Sequence, residues 1–325
     1  MSTEGKKNRE EIFPRKNLHS KCRPESAFGR RKKHNHFQLF LDVVEPVLAP
    51  GLGKTKTGRL WVVVRDERSW GSAVPPAAFY HYSANRKAIH AEALLGACRG
   101  FLHADGYAGF ETLYRPTTPD GEPPLVEVAC WSHARRKLYE VHHATASPIA
   151  FEALERIAAL FAIESSIRGR RPDQRVAARE EHARPLLVQL KAFLDTSLYR
   201  VSGKSALAQA IRYALSRWQA LTRYVSDGRL EMSNNAAERA MKPPVLGRKN
   251  YLFCGSDAGG QRAACIYTII ETAKMCGINP RPIWPMSSTA SLITQSAKSI
   301  PCSHGAGQNS APQARCPTPK TAANG

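Results

Sequence analysis

Three carboxylate residues, Asp42, Asp105 and Glu238, have sequence surroundings that suit the binding of divalent metal ions. Asp42 and Asp105 each follow a short apolar, strand-like run, and Glu238 follows a Ser-Asn-Asn sequence of the type that favours helix N-caps. Carboxylates supply hard, anionic oxygen ligands that hold Mg²⁺ while positions stay open for a substrate phosphate. Two carboxylates on strands and a third on a later helix therefore indicate a two-metal site that acts on phosphodiester bonds.

Basic side chains flank these carboxylates along the chain. We predict that they contact DNA phosphates, because backbone contacts of this kind position a protein on a duplex. For the first four cations below, an ordinary solvated surface is the open alternative. The predicted DNA-binding residues are Lys54, Lys56, Arg135, Arg136, Arg239, Lys242, Arg248 and Lys249.

The Gly-rich segment PGLGKT does not indicate a nucleotide-binding P-loop. The Walker pattern needs a glycine five residues before Gly53, where this chain has Leu48. The segment also leads into a strand-like run rather than into a helix.

The charge balance favours a polyanionic partner. Lys and Arg outnumber Asp and Glu by 47 to 27, a formal net charge of +20. Residues 1–36 account for +7 and residues 285–325 for +3, which leaves +10 on the middle of the chain. The eight cysteines include no C-x-x-C pair, and Cys98, Cys130 and Cys265 have apolar surroundings that predict reduced core residues. No apolar run reaches the length of a membrane span, so a cytoplasmic protein is predicted.

The pattern of apolar residues predicts an α/β fold with a ribonuclease-H-like, mixed five-stranded sheet and flanking helices. Three strand-like runs separated by turns predict an antiparallel meander, and two further strands precede a basic helix. Apolar residues at helical spacing then predict a helical insertion before the helix of Glu238, which Pro243 and Pro244 should end or kink near Lys242. The predicted parts are a basic disordered leader (1–36), the first part of the core (37–147), the insertion (148–230), the second part of the core (231–284) and a disordered tail (285–325).

Four long motifs carry a resemblance to a known family. HADGYAGF, EVACWSHARRKLYEVH, NNAAERAMKPPVLGRKNYLFCGSDAGGQRAA and PGLGKTKTGRLWVVVRDERSWG resemble the catalytic region of the insertion-sequence-sixty-six transposases. The resemblance covers about residues 39–284 and implies that Asp42, Asp105 and Glu238 form the Asp-Asp-Glu triad of a DDE transposase. It further implies metal-dependent cleavage and strand transfer of double-stranded DNA with two Mg²⁺ ions, for which Mn²⁺ can substitute.

The same resemblance implies further properties of the protein. It implies a homo-oligomer on DNA, small accessory transposition proteins and a bacterial, nucleoid-associated location. Relatives carry a DNA-recognition region before the catalytic part and a leucine-rich helical end after it, and neither is matched here. We therefore expect a truncated chain with out-of-frame or fused ends.

Two alternatives to an active transposase stay open. Val43 and Val44 follow Asp42, where relatives have a polar pair, so a catalytically inactive, basic DNA-binding remnant is the main alternative. A nuclease without strand transfer is the second. If Glu238 is not the third ligand, Glu231 is the next candidate.

Overall fold

The computed structural model describes the middle of the chain. The predicted tail lies outside the described residues, and so does nearly all of the predicted leader. The described residues are 35–49, 51, 53–116, 121, 123–250 and 254–281.

The core is a five-stranded mixed sheet with the order β3-β2-β1-β4-β5. Strands β1, β2 and β3 pair antiparallel, which confirms the predicted meander, and β4 and β5 extend the sheet parallel to β1. One parallel bridge also joins Val47 to Cys254. The strands are β1 (Asn35–Ala49), β2 (Lys54–Arg65), β3 (Ala77–Ser83), β4 (Gly100–Ala104) and β5 (Leu125–Ala129).

Strand β1 does not end before Asp42 but continues beyond it to Ala49. Leu41 pairs with Trp61 and Val43 pairs with Leu60, so Asp42 is the extra residue of a β-bulge. Bulges bend a strand and change the direction of the residues that follow, and they are frequent beside functional sites. The backbone of Asp42 is described, whereas its side chain lies outside the described part of the chain.

Both faces of the sheet are buried beneath helices. The helices are α1 (Ala88–Leu95), α2 (Trp131–Thr145), α3 (Pro148–Ser166), α4 (Pro172–Ala178), α5 (Arg184–Tyr199), α6 (Ala206–Ser216), α7 (Trp218–Thr222), α8 (Asn235–Gly247) and α9 (Asp257–Met275).

The side chains of β2 point alternately to the two faces of the sheet, and each face packs against different helices. Trp61 and Val63 pack in one apolar cluster with α1, and Leu60, Val62 and Val64 pack in another with α8 and α9. Helices α3 to α7 lie in the stretch for which a helical insertion is predicted, and α3, α5, α6 and α7 form a third cluster with α2. The mixed α/β class is therefore confirmed.

Helix α8 continues through Pro243 and Pro244 to Gly247, so the prediction that it ends near Lys242 is wrong, while the alternative of a kink there stays a prediction. A proline inside a helix lacks the N–H that would bond the carbonyl four residues earlier. For Pro244 that carbonyl belongs to Ala240, and it accepts a hydrogen bond from the buried Tyr80 hydroxyl instead. The tertiary contact thus satisfies the group that the proline leaves without its helical partner.

Two neighbouring histidines in the sheet should make the fold less stable in mild acid. The rings of His36 and His103 lie 5.9 Å apart. Burial lowers the pKa of His36 to about 4, and it lowers the pKa of His103 well below 6.5. The unfolded chain therefore binds protons first as the pH falls from 6.5 towards 4, and stability is lost in that window.

Each of these histidines should cost about 1.4 kcal/mol of unfolding free energy per pH unit below 6.5. Urea unfolding between pH 7 and pH 5 measures this slope, and His103→Gln should reduce it by about that amount. Equal slopes in the two proteins would contradict the assignment to His103.

Candidate functional site

Asp105 directly follows β4, as predicted, in a tight turn. Its Oδ1 accepts a hydrogen bond from the Tyr107 amide at 3.3 Å, and Gly106 has a left-handed φ of 79°. Burial raises the pKa of the Asp105 carboxyl, an effect that the nearby His133 and Arg86 oppose. A partly buried carboxylate of this kind gains from a bound cation.

Helical residues beyond the sheet hold this turn in place. Arg217 donates to the Gly106 carbonyl at 3.1 Å and forms an ion pair with Glu127 of β5. A side chain at Gly106 would collide with the same guanidinium, since a Cβ there would lie 2.6 Å from Arg217 Cζ. The segment between α6 and α7 therefore fixes the backbone that carries Asp105.

The first turn of α8 is attached to β1. Asn234 occupies the N-cap position, as predicted, but its Nδ2 donates to the Leu39 carbonyl of β1 at 2.8 Å instead of capping the helix. Gln38 Oε1 supplies the missing acceptor and receives the Ala236 amide at 3.1 Å. Because both contacts lie on β1 shortly before Asp42, the helix that bears Glu238 starts beside that strand.

Glu238 faces the start of α2. One ligand atom each of Cys130, His133 and Glu238 lie within 4.8 Å of one another, and His133 Nδ1 lies 3.7 Å from Glu238 Oε1. Cys130 is the N-cap residue of α2, and His133 is three residues further on. The Cys130 thiol is buried as predicted, and burial raises its pKa, whereas Cys265 is exposed and its prediction as a core residue is wrong.

The sequence interpretation missed the placement of Cys130 and His133. From the sequence, Cys130 is predicted as a core residue, and no role as a ligand is predicted for His133. The signal that could have found them is the Cys-x-x-His spacing at a helix start, since side chains at the N-cap and at the third helical position lie over the same helix end.

His133 interacts electrostatically with Asp105 and also faces Glu238, the two predicted metal ligands whose side chains the structure describes. Neither His133 Nδ1 nor Glu238 Oε1 has a hydrogen-bond partner among the described residues, although both atoms are buried. Buried polar atoms without a partner are uncommon in folded proteins. Asp105 and Glu238 would both gain from a nearby positive charge, and their carboxylate oxygens are of the ligand type that Mg²⁺ prefers.

The backbone of Asp42 lies on the strand beside Asp105. Gln38 of β1 pairs with His103 of β4 in parallel register, four residues before Asp42 and two before Asp105. The two aspartates therefore lie towards the same end of neighbouring parallel strands. The role of Asp42 as a ligand stays a prediction.

Glu231, the alternative third carboxylate, is bound elsewhere. Its Oε1 accepts a hydrogen bond at 2.7 Å from Arg175, whose side chain is 2% exposed. The structure therefore favours Glu238 over Glu231 as the carboxylate beside His133.

The predicted DNA-binding cations fall in three places. Lys54 and Lys56 are exposed at the start of β2, where Lys56 Nζ pairs with Asp257 at 2.6 Å. Arg135 and Arg136 are exposed on α2, two and three residues beyond His133. The third group lies on α8 and the 3₁₀ turn after it: Arg239, Lys242, Arg248 and Lys249.

Arg248 differs from the other cations of the third group. Its Nη1 donates to the Val44 carbonyl at 2.7 Å, two residues beyond Asp42, so its guanidinium stabilises the backbone after the bulge. Arg239, Lys242 and Lys249 are exposed. Contact of any of these residues with DNA stays a prediction.

Comparison with known proteins gives a family match that spans these residues. The chain matches the family described as "Transposase IS66 family" over residues 43–262, a stretch that includes Asp105, His133 and Glu238 and begins one residue after Asp42. It is 37% identical to "Uncharacterized protein y4qI" of Sinorhizobium fredii over 77% of this chain and 46% of that protein. It is also 39% identical to "Uncharacterized protein y4jD" of the same organism, over 72% and 46% of the two chains.

The family match covers more than half of the chain, and the chain belongs to the IS66 family of transposases. The chain spans about half the length of the curated relatives it matches. No solved structure gives a significant match. Within the described residues, every helix is too short or too polar to cross a membrane.

Proposed function

We propose that this protein is a DDE transposase that cleaves and joins double-stranded DNA. The observation that carries the proposal is that His133 lies 3.7 Å from Glu238 and acts electrostatically on Asp105, in a chain of the IS66 transposase family. The two carboxylates come from a strand end and a helix 133 positions later in the chain. Carboxylates brought together from such distant segments support a metal site rather than separate surface acids.

The sheet supports a ribonuclease-H-like fold for this enzyme. The order β3-β2-β1-β4-β5, antiparallel on one side of β1 and parallel on the other, is the order we expect of that fold. It places β1 and β4, which lead to the two aspartates, side by side in the centre of the sheet. Helices α3 to α7 then constitute the insertion, and the chain on either side of them constitutes the catalytic core.

The proposed reaction has two phosphoryl-transfer steps. Water attacks a phosphodiester and frees a 3′-OH at the element end, and that 3′-OH then attacks a phosphodiester of the target DNA. Asp42, Asp105 and Glu238 would hold two Mg²⁺ ions, which activate the attacking oxygen and stabilise the leaving oxygen. Mn²⁺ is expected to replace Mg²⁺ because it accepts the same oxygen ligands.

The protein's own residues hold this site in position. Asn234 and Gln38 fix the helix of Glu238 on β1, and Arg217 fixes the turn of Asp105. The exposed cations of α2 and α8 lie on the helices that carry His133 and Glu238, and they would neutralise the DNA backbone there. Paired element ends imply a homo-oligomer on DNA, and small accessory proteins are a further expected partner.

A plasmid assay tests the proposed activity. Supercoiled DNA that carries both element ends should be nicked and joined in Mg²⁺ or Mn²⁺, and it should stay intact in EDTA. Cleavage without joined product would instead support a nuclease. The absence of metal-dependent products, also when the chain is joined to the additional region of a longer relative, would support an inactive DNA-binding remnant.

The cations of α2 predict a measurable salt dependence of DNA binding. Replacing Arg135 and Arg136 by alanine should weaken binding to duplexes of any sequence. It should also reduce the slope of log K against log salt by about 1.8, which corresponds to two lost phosphate contacts. Fluorescence anisotropy at salt concentrations from about 50 to about 200 mM measures both quantities, because the affinity for DNA changes strongly over this range.

The matched control replaces Arg156 and Lys191 by alanine. Both are cations of the helices α3 and α5, paired with Glu152 and Asp195 at i,i+4 spacing. This variant carries the same charge change and should keep the wild-type slope. Equal slopes in both variants and the wild type would contradict DNA contact by α2.

A further inference from the structure

We propose that Cys130, His133 and Glu238 form a binding site for a thiophilic divalent cation such as Zn²⁺, distinct from the predicted Mg²⁺ pair but sharing Glu238 with it. The three ligand atoms lie within 4.8 Å of one another. They combine a sulfur, an imidazole nitrogen and a carboxylate oxygen, which is the mixture that zinc accepts and that magnesium does not.

The distances suit one tetrahedral cation. Zinc bonds of about 2.0–2.2 Å to nitrogen and oxygen place two such ligands of one tetrahedral ion about 3.3–3.5 Å apart. His133 Nδ1 and Glu238 Oε1 are 3.7 Å apart, which is too long for a hydrogen bond and slightly longer than that separation, so a small rotation of either side chain lets both bind one ion. The 4.8 Å limit on the whole set leaves only small side-chain rotations to bring the sulfur within bonding distance.

The hydrogen-bond environment of the three ligand atoms favours a bound cation. His133 Nδ1 and Glu238 Oε1 are buried and have no hydrogen-bond partner in the described part of the chain, so a cation between them would satisfy both. Cys130 Sγ accepts a hydrogen bond from the Asn234 amide at 3.2 Å. Amide hydrogen bonds to a ligating sulfur orient it and stabilise its charged form.

The local fold holds the ligands with little freedom. Cys130 and His133 are fixed relative to each other by the first turn of α2, and the Trp131 amide donates to the Met232 carbonyl just before α8. Ser132 Oγ also donates to Asn235 Oδ1 at 3.2 Å, so the two helix starts are joined twice. Three protein ligands leave a fourth position for water, as in zinc sites that remain open to exchange.

The consequence for activity rests on the proposed function. A cation that takes Glu238 together with a thiolate withdraws this carboxylate from the Mg²⁺ ions of the transposition reaction. Zn²⁺ should therefore inhibit DNA cleavage at concentrations far below those of Mg²⁺.

Titration of the reduced full chain with Co²⁺ tests the site without DNA. The wild type should bind one Co²⁺ with the intense visible bands of tetrahedral cobalt and a near-ultraviolet sulfur-to-cobalt band. Cys130→Ser should lose the sulfur band and bind at least about 100-fold more weakly. Cys98→Ser, which changes a buried thiol in the other sheet cluster, should behave as the wild type.

A sulfur band that persists in Cys130→Ser, or a wild type that shows no such band, would overturn the metal site. If Cys130→Ser fails to fold, X-ray absorption of the zinc-loaded wild type decides the question. It should show one sulfur at about 2.3 Å among nitrogen and oxygen ligands, and a shell without sulfur overturns the site.

The effect on activity is measured separately as the ratio of Mg²⁺-dependent cleavage rates with and without micromolar Zn²⁺. Zinc should lower the rate of the wild type more than tenfold and that of Cys130→Ser much less. Equal inhibition of both would refute the competition for Glu238. If the wild type shows no Mg²⁺-dependent cleavage at all, the proposed function fails, while the cobalt spectra still decide the metal site.

Discussion

Glu238→Gln is expected to reduce Mg²⁺-dependent cleavage and joining by about 10³-fold or more, because a ligating carboxylate contributes several kcal/mol to a metal-assisted transition state. Glutamine keeps the size of the side chain and the helix but lacks the charge that a hard cation requires. DNA binding should stay unchanged or become slightly tighter, since a negative charge beside the phosphates is lost. Single-turnover cleavage and anisotropy binding curves measure the two effects.

Glu155→Gln is the matched control for this prediction. Glu155 is exposed on α3 and undergoes the same loss of charge. Its cleavage rate should equal that of the wild type. A Glu238→Gln protein that cuts as fast as this control would show that the third carboxylate has been misassigned.

Arg179→Met is expected to lower the free energy of unfolding by about 3–5 kcal/mol. The Arg179 side chain is 0% exposed, and its guanidinium forms a forked pair with both carboxylate oxygens of Glu164 at 2.7 Å. It also donates to the backbone carbonyls of Tyr224, Asp227 and Leu230. Its removal leaves three carbonyls without their partner and leaves the largely buried Glu164 carboxylate with Arg175 alone, at 3.2 Å, which is a costly change in a buried network.

Arg184→Ala provides the comparison. Arg184 lies five residues later and pairs with Glu180 at i,i+4 spacing, but its side chain is 55% exposed. Exposed pairs of this type contribute only about 0.3–0.5 kcal/mol. Guanidinium unfolding of the two variants should therefore differ clearly, and similar losses would contradict the structural role of the Arg179 network.

The hydrogen bonds of Arg179 also hold the chain that leads to Glu238. The three carbonyls that it binds belong to the chain just before α8, and Arg175 binds Glu231 in the same network. The helices predicted as an insertion thus anchor the approach to Glu238. Arg217, between α6 and α7, binds the Gly106 carbonyl and so holds the turn that carries Asp105.

Much of this arrangement could be predicted because it depends on local sequence. The apolar run before Asp105 predicted a strand that ends there, and β4 ends at Ala104. The Asn pair before Glu238 predicted a helix start, and α8 begins at Asn235. In each case the signal and the structure lie within a few residues of one another.

The features that the sequence did not predict depend on distant partners. Helix α8 survives its proline pair because Tyr80, 160 residues before Ala240, supplies a hydroxyl to the freed carbonyl. Gln38 caps the same helix from 198 residues away. The cluster of Cys130 and His133 with Glu238 likewise requires α2 and α8 to start side by side, which no local pattern shows.

The central claim is that Asp42, Asp105 and Glu238 bind one pair of metal ions. Anomalous diffraction from crystals of the chain soaked in Mn²⁺ tests it most directly, because manganese accepts the same oxygen ligands as magnesium and is located without ambiguity. We expect manganese within about 2.5 Å of carboxylate oxygens of all three residues. Manganese bound elsewhere, or an Asp42 carboxylate on the opposite face of the sheet, would contradict it.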